Sequence, residues 1–367
     1  MKTIGIIAEF NPFHKGHEYL VNQARQCCDD ARIVAVMSGS YTQRGEPASF
    51  NKHARAQAAV LCGVDLVLEL PLPWCASRAE AFAYGGVYLL NALGCVDLLC
   101  YGTEQGTAEE QYRLAEWLLS GDFSARLKCY LARGMSFASA RESAAEEALG
   151  AGAAKLLTEP NSTLGVEYCK ALIKLQSNIQ PFSILRAGAA HDSPDTHSGF
   201  VSAGYIRKSL DFSFTPAVAR SIFEAAPPVN AQRWQDFALI CLKRMSREEL
   251  ALLPDVGEGL ENRIFKAARA ANSLEELLTA VKTKRYSHAR LRRIALASLL
   301  NIRAEDLNGS PPFLKPLAFN ERGREILSQA RKAMKSSPAI EERVRMINLL
   351  GEEMVKMINP PNLTSNI

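Results

Sequence analysis

The sequence predicts a doubly wound, parallel α/β sheet followed by a mostly helical C-terminal region, and three observations carry that prediction. Apolar β-type runs alternate with amphipathic stretches over the first hundred residues, which is typical of parallel strands joined by crossover helices. From about Gln232 onward the pattern is mostly helical. The length of 367 residues exceeds the ~100–200 usual for one domain, so two domains are expected.

The predicted elements of the sheet follow one another in chain order. Strands are predicted at 3–8, 31–39, 64–71 and 96–104, with helices at 17–28, 52–61 and 79–93. In such sheets the ligand lies outside the carboxyl ends of the strands. We therefore expect the loops after Ala8, Met37, Leu70 and Tyr101 to meet at one site.

A helical insertion is predicted over 105–157, which is rich in Ala, Glu, Leu and Arg. The α/β pattern then returns with a helix at 164–175 and a strand at 181–188. After the polar stretch 191–199, a turn leads into a helix within 201–210.

Prolines mark the domain boundary, at Pro216 and at the pair Pro227 and Pro228. We expect a catalytic domain over 1–215 and a mostly helical, basic domain over 216–367. Within the second domain, 311–320 is a candidate strand.

Composition excludes several classes of protein. The chain is 47% hydrophobic and 22% charged with a mean hydropathy of −0.08, which is typical of a folded globular protein. No run reaches the ~20 apolar residues of a membrane span, and the N-terminus does not have the pattern of a secretion signal. The nine cysteines are odd in number and lack CxxC pairing, so we expect free thiols, no metal site and a cytoplasmic location.

Charge is unevenly distributed along the chain, although its total is only +4. Residues 1–210 carry 19 basic and 21 acidic side chains, a net of −2, while residues 211–367 carry 24 and 18, a net of +6. This division favours a polyanionic partner for the C-terminal half.

The segment that carries chemistry is Ile7-Ala8-Glu9-Phe10-Asn11-Pro12-Phe13-His14-Lys15-Gly16-His17, where the first strand gives way to the first helix. Gly16 lets the backbone approach a phosphate, and the helix start offers unpaired N–H groups and a positive dipole end. His14 and His17 can face one pocket and stabilise charge on a phosphoryl oxygen while pyrophosphate is displaced. The alternatives are a metal site, for which only Glu9 offers a third ligand, and a structural pair of histidines.

This loop resembles the HxGH nucleotidyltransferase superfamily. Further motifs make the chain similar to the bacterial tRNA(Met) cytidine acetate ligase family over nearly its whole length. Those motifs are MSGSYTQRGEPA (37–48), DLVLELP (65–71), YGTE (101–104), PNSTLGVEY (160–168), SAGYIR (202–207), KRYSHARLRR (284–293) and PLAFNERGREIL (316–327). The chain departs from the family pattern at Lys15, Thr103, Glu159, Gly204 and Tyr205, and none of these changes removes a group that the chemistry needs.

The resemblance implies a Rossmann-like fold of the HxGH type and a reaction in two steps. ATP and acetate form acetyl-adenylate with loss of pyrophosphate, and the wobble cytidine of elongator tRNA(Met) then takes the acetyl group on its N4 amine. His14 and His17 would be catalytic, and Mg²⁺ is expected with the triphosphate. No membrane and no obligate protein partner are implied. The ATP-binding residues would be Ile7, Ala8, Glu9, Phe10, Asn11, Pro12, Phe13, Lys15, Gly16, Glu18, Tyr19, Leu20, Gly102, Asn161, Arg186, Ser202 and Arg207.

Several of these residues also have an ordinary structural explanation. Gly102 is also explained as a turn glycine and Asn161 as a helix cap, whereas Arg186 at a strand end favours an anionic ligand. Ser202 and Arg207 match the start of a late helix that closes over the β- and γ-phosphates in the family. Gln43, Arg44 and Glu46 are candidates for the acetate or cytidine pocket, or an exposed polar loop.

A basic stretch at 281–300 is the candidate RNA-binding element. If it is helical, Leu291, Ile294, Ala295 and Leu299 form its buried stripe and Arg293 points away from them. A solvated basic helix is the alternative. The RNA-binding candidates are Lys282, Lys284, Arg285, Arg290, Arg292 and Arg293.

Two other functions remain open from the sequence. One is a transferase that makes a small adenylylated or cytidylylated molecule, although such enzymes are commonly about half this length. The other is a non-catalytic, nucleotide-dependent RNA-binding protein, which the intact histidine pair disfavours.

Overall fold

In the computed structural model, which describes residues 1–28, 30–186, 201–330 and 338–358, six strands form one sheet in the order β5-β4-β1-β2-β3-β6. The strands are β1 (Thr3–Ala8), β2 (Arg32–Ser38), β3 (Leu66–Leu70), β4 (Leu98–Thr103), β5 (Gln180–Leu185) and β6 (Pro316–Phe319). All neighbouring pairs are parallel except β3 and β6. The predicted doubly wound α/β sheet is confirmed.

The helices cover most of the remaining described chain. They are α1 (Lys15–Gln26), α2 (Lys52–Leu61), α3 (Ala79–Leu93), α4 (Ala108–Leu118), α5 (Gly121–Ala132), α6 (Phe137–Leu149), α7 (Ala151–Leu156), α8 (Pro160–Lys174), α9 (Ala203–Ser209), α10 (Ala217–Ala225), α11 (Ala231–Arg244), α12 (Arg247–Ala251), α13 (Leu260–Ala270), α14 (Leu274–Val281), α15 (His288–Leu300), α16 (Glu321–Gln329) and α17 (Pro338–Ile358). None of the helices in these described ranges is long and apolar enough to cross a membrane.

The switch point of the sheet lies between β1 and β4. From β1 the chain adds β2 and β3 on one side, and β4 and β5 on the other. The crevice where strand order reverses is the usual ligand position in such sheets. Of the predicted strand over 181–188, residues 181–185 lie in β5 and Arg186 follows it, whereas residues 187–188 and the polar stretch 191–199 lie outside the described residues.

The two faces of the sheet pack into different hydrophobic clusters because side chains alternate along each strand. Ile4 and Ile6 of β1 join the cluster against α1 and α2. Ile7 joins the other cluster, which includes α3 and most of the C-terminal helices. Central strands that are covered on both faces have nearly continuous apolar sequences, and the predicted strands of this chain have such sequences.

The C-terminal half contributes to the same sheet. The candidate strand within 311–320 is confirmed as β6, which pairs with β3 through Phe319 opposite Leu66. Trp234 of α11 and Ile294 of α15 lie in the hydrophobic cluster that contains Leu66. The proposed division at 215/216 stays a prediction about chain organisation.

The last helix is fixed to the carboxyl edge of the sheet by buried polar contacts. Lys52 Nζ lies 2.8 Å from Glu69 Oε1 and 2.6 Å from Glu352 Oε1 on α17. The hydroxyl of Tyr41, which is fully buried, donates to the carbonyl of Gly351 at 3.1 Å. Separation of α17 from the sheet would break the Lys52–Glu352 ion pair and leave the buried Tyr41 hydroxyl without this acceptor, so these contacts hold α17 in place.

The predicted insertion at 105–157 forms α4 to α7. Its inner side shares a small core with α8 that includes Leu114, Leu118, Leu156 and Val166. Helix α5 buries none of its residues.

Candidate active site

A cavity of about 690 Å³ opens at the carboxyl ends of β1, β4 and β5, at the switch point. Gln43, Arg44 and Glu46 line it together with most of the predicted nucleotide residues. Those nucleotide residues are Ile7, Ala8, Glu9, Phe10, Asn11, His14, Gly16, His17, Tyr19, Leu20, Gly102, Asn161, Arg186, Ser202 and Arg207.

Four predicted ATP-binding residues do not line this cavity, namely Pro12, Phe13, Lys15 and Glu18. Phe13 is fully buried, 4.9 Å from the ring of Phe10 between centroids. The Lys15 Nζ lies 5.9 Å from the ring centroid of Phe214. Phe13 therefore packs inside the protein beneath the loop, and Lys15 lies next to an aromatic ring outside the cavity.

The two histidines are fixed by the helix start itself. His14 is the N-cap of α1, and its Nδ1 accepts the backbone N–H of Gly16 at 3.0 Å. The Nδ1 of His17 accepts the backbone N–H of His14 at 3.3 Å. The two rings stack with their centroids 3.8 Å apart. Because His14 caps the helix, α1 begins at Lys15, two residues before the predicted start.

Both imidazoles are held neutral. Burial, followed by the charges of Arg186 and Arg207, lowers the pKa of His14 from 6.5 to about 3. Burial, His14 and Arg186 lower the pKa of His17 well below its usual value. A neutral ring whose Nδ1 accepts a hydrogen bond carries its proton on Nε2. Each histidine can therefore donate one Nε2–H to an oxygen in the cavity.

Two arginines supply positive charge beside this pair. Both Arg186, just after β5, and Arg207, on α9, act on His14 electrostatically. Arg207 Nη1 donates to the carbonyl of Asn11 at 2.8 Å, which joins α9 to the histidine loop. A Cβ at Gly102 would lie 3.2 Å from Cγ of Arg186, so glycine leaves room for that side chain.

Asn161 is held at the cavity wall by Glu104. The Glu104 carboxylate accepts hydrogen bonds from the side chain of Asn161 and from the backbone N–H of Ser162, the latter at 2.8 Å. Burial raises the pKa of Glu104, but these hydrogen bonds outweigh burial and hold it below its usual value. Helix α8 therefore begins at Pro160 rather than at 164, because a carboxylate distant in sequence caps it.

The loop of Gln43, Arg44 and Glu46 is held from two sides. Glu9 Oε1 accepts the backbone N–H of Gln43 at 2.7 Å. Arg292 on α15 pairs with Glu46 at 3.0 Å. Between these contacts, Gly45 has φ +79° and lies so close to α15 that an added Cβ would be 2.4 Å from the backbone nitrogen of Arg293.

Arg55 is a positioning residue that sequence reasoning missed. Its side chain is fully buried in α2 and donates to the carbonyls of Glu9, Ser38, Gly39 and Phe50. Burial lowers its pKa to about 10, so it stays charged near neutral pH. The sequence does contain one signal for this role, because Arg55 lies on the same side of the predicted helix 52–61 as the small apolar residues.

The basic stretch predicted to bind RNA has much of its charge engaged within the protein. The predicted buried stripe of α15 is confirmed, but Arg293, expected to point away from it, is 15% exposed and pairs with Asp255 at 2.7 Å. Arg290 Nε donates to the carbonyl of Asp255 at 2.8 Å. Arg285 pairs with Glu258 at 3.1 Å. Lys282 and Lys284 are exposed. Loops from elsewhere in the chain therefore cover a side of α15 that helical periodicity alone predicts to be exposed to solvent.

Within the described ranges, no group of three or more His, Cys, Asp or Glu side chains is placed to hold a metal ion. The cavity offers hydrogen-bond donors and guanidinium groups instead, which suit a phosphorylated ligand better than a resident cation.

Comparison with known proteins gives consistent matches over nearly the whole chain. The HIGH Nucleotidyl Transferase family model matches residues 1–357. The tRNA(Met) cytidine acetate ligase of Alkaliphilus metalliredigens is 39% identical over 366 residues, covering 90% of this chain and 86% of the relative. That of Thermoanaerobacter sp. is 39% identical over 350 residues with the same coverage.

Two solved structures have the same fold. Thermotoga maritima TmcAL bound with alpha-thio ATP matches with a TM-score of 0.90 and 30% identity, covering 99% of this chain and 96% of that one. The apo form of TmcAL from the same organism matches with a TM-score of 0.92 and 30% identity, covering 98% and 96%.

Proposed function

The chain belongs to the tRNA(Met) cytidine acetate ligase family of HIGH nucleotidyl transferases, and from this membership and the site geometry we propose that it acetylates the wobble cytidine of elongator tRNA(Met). ATP first activates acetate as acetyl-adenylate, and the acetyl group then passes to the N4 amine. The family resemblance predicted from the sequence motifs is confirmed. The solved relative with alpha-thio ATP supports ATP as the nucleotide.

The observation that carries the proposal is the stacked pair of neutral histidines at the start of α1. In the first step an acetate oxygen attacks the α-phosphorus of ATP and pyrophosphate leaves. The Nε2–H groups of His14 and His17 donate to phosphoryl oxygens as negative charge grows on them, and Arg186 and Arg207 add positive charge. Acetate is already a nucleophile, so this step needs positioning and charge stabilisation more than a base.

In the second step the cytidine amine attacks the acyl carbon, the bond between that carbon and the phosphate oxygen breaks so that AMP leaves, and the nitrogen loses one proton to solvent. The departing phosphate carries negative charge, which the same donors and guanidinium groups stabilise. Gln43, Arg44 and Glu46 line the cavity on a loop braced by Glu9 and α15, where they would contact acetate or the cytosine ring.

Magnesium enters this proposal as the counter-ion of ATP. Mg²⁺ usually keeps several waters and takes one or two carboxylates plus substrate phosphates. The described residues provide no ready-made group of metal ligands, so phosphate oxygens of ATP and water molecules would supply most of the ligands of Mg²⁺.

The test is to incubate the protein with ATP, labelled acetate and bulk tRNA, and to look for label in cytidine. We expect label only when ATP and tRNA are both present, and its loss in His14→Ala and His17→Ala. The matched control is His53→Ala, because His53 is exposed and does not line the cavity. Pyrophosphate release with a modified small molecule and unlabelled RNA would favour the small-molecule transferase instead.

A further inference from the structure

A basic surface with an aromatic ring at its centre lies on α12 and α13. Phe265 is partly buried, and the guanidinium carbons of Arg247 and Arg269 lie 4.7 and 3.2 Å from its ring centroid. Arg263, Lys266 and Arg269 recur every three residues along α13 and are exposed. We call Arg247, Arg263, Phe265, Lys266 and Arg269 the α13 basic surface.

The cations of this surface differ in their partners from three arginines of the predicted RNA stretch. Over the described chain, no carboxylate lies within 4.0 Å of the charged nitrogens of Arg247, Arg263, Lys266 or Arg269. The charge of Arg247 contributes to lowering the pKa of Glu248, its neighbour in sequence. By contrast, the arginines at 285, 292 and 293 all form ion pairs.

Gathering like charges around one ring is unfavourable without an anion. Two unit charges about 8 Å apart in water repel by about 0.5 kcal/mol, and each added cation increases this. A polyanion relieves the repulsion and releases its own counter-ions when it binds. An arginine stacked on an aromatic ring also has its guanidinium plane held in place for phosphate contacts.

The position of this surface relative to the cavity suits a long ligand. Trp234 and Gln235, near the start of α11, line the cavity. The helix then runs to Arg244, about 14 Å further along its axis, and α12 begins directly afterwards at Arg247. A nucleic acid with one nucleotide in the cavity can therefore extend along α11 to the α13 basic surface.

We propose that the α13 basic surface binds the phosphate backbone of the RNA substrate away from the reacting nucleotide. This inference rests on the proposed function, because it takes RNA as the substrate. It adds an RNA contact on α12 and α13 to the one that the sequence predicts at 282–293.

The test compares tRNA binding by Lys266→Glu/Arg269→Glu with that of the wild type at several salt concentrations. We expect the Kd for tRNA to rise about tenfold or more, and the slope of log Kd against log salt to fall by about 2. The Kd for ATP should stay within about twofold, because neither residue lines the cavity. Lys266→Gln/Arg269→Gln, which removes charge without reversing it, should give a smaller change in the same direction.

The matched control is Arg113→Glu/Lys128→Glu, which makes the same charge change at exposed sites on α4 and α5. Equal weakening by this control would reduce the effect to overall charge and overturn the inference. An unchanged Kd for tRNA in Lys266→Glu/Arg269→Glu would also overturn the inference. If this variant loses binding to poly-glutamate and keeps binding to tRNA, the surface would instead bind an acidic polypeptide. A wild-type protein that binds tRNA through this surface but transfers no acetyl group would sink the proposed function and not the surface.

Discussion

Replacing His14 by asparagine should make the stability of the protein less sensitive to acid. The pKa of His14 is about 3 in the folded protein and 6.5 in the unfolded chain. Between these values the unfolded state binds more protons, so the free energy of unfolding falls as the pH is lowered. The loss is about 1.4 kcal/mol per pH unit. At pH 5, about 1.5 units below the unfolded value, His14 alone should have cost about 2 kcal/mol relative to pH 7.5.

Asparagine is the informative replacement because its side-chain oxygen can still accept the N–H of Gly16 and cap α1. His17 is present in both proteins, so its similar contribution largely cancels in the comparison. Urea denaturation at pH 7.5 and pH 5 measures the free energies of unfolding, and the buried tryptophans Trp74 and Trp234 report the transition. His53→Asn, at an exposed position, is the control.

We expect the wild type to lose about 2 kcal/mol more than His14→Asn between the two pH values. Equal losses in both proteins would mean that His14 is protonated in the folded state near pH 5. The assignment of the His14 Nε2–H as a neutral donor would then be wrong.

Three further substitutions test the framework around the site. Gly45→Ala should lower tRNA acetylation about tenfold or more and change ATP affinity little, because the new Cβ would collide with the backbone of Arg293 at a φ of +79° and displace the loop. Arg55→Met should lower the free energy of unfolding by about 3 kcal/mol in urea denaturation, because it leaves several buried carbonyls without donors. Glu104→Gln should cost about 1 kcal/mol near pH 7, because the start of α8 loses its carboxylate. That last difference should shrink below about pH 4.5, since the folded-state pKa of Glu104 is lowered and its contribution is lost on protonation.

Each of these expectations can fail separately. Full acetylation activity in Gly45→Ala would show that the loop can move without consequence for the chemistry. A stable Arg55→Met protein would mean that water replaces the guanidinium. A Glu104→Gln difference that stays constant from pH 7 to pH 3 would show that hydrogen-bond geometry at α8, rather than charge, is what matters.

The candidate site could be predicted from the sequence where its signal is local. The strand, the His14 and His17 pair and Gly16 lie within one segment, so spacing alone brings them together. The same holds for the helix over 52–61, which matches α2 at both ends. Glu104 could not be found in this way, because it acts as a cap for a helix more than fifty residues later in the chain.

Arg55 and the arginines of α15 illustrate the opposite limit. Helical periodicity shows which residues share a side of a helix, but it does not show what packs against that side. Arg55 lies among strand-end carbonyls, and Arg293 lies against Asp255 and the loop at Gly45. Both partners come from distant segments, so their positions follow from chain packing and not from local pattern.

The sequence by itself determined the parallel α/β sheet, the position of the site at the carboxyl end of β1 and the excess of positive charge after residue 210. These depend on hydrophobic periodicity, short motifs and composition, all of which are properties of neighbouring residues. Only the tertiary structure decided that the two histidines are neutral donors, that α15 braces the loop at Glu46 and that Arg247 and Arg269 lie against one aromatic ring on α13. Protonation, bracing and pairing depend on burial and on which distant groups lie within a few ångströms, and the fold alone sets those distances.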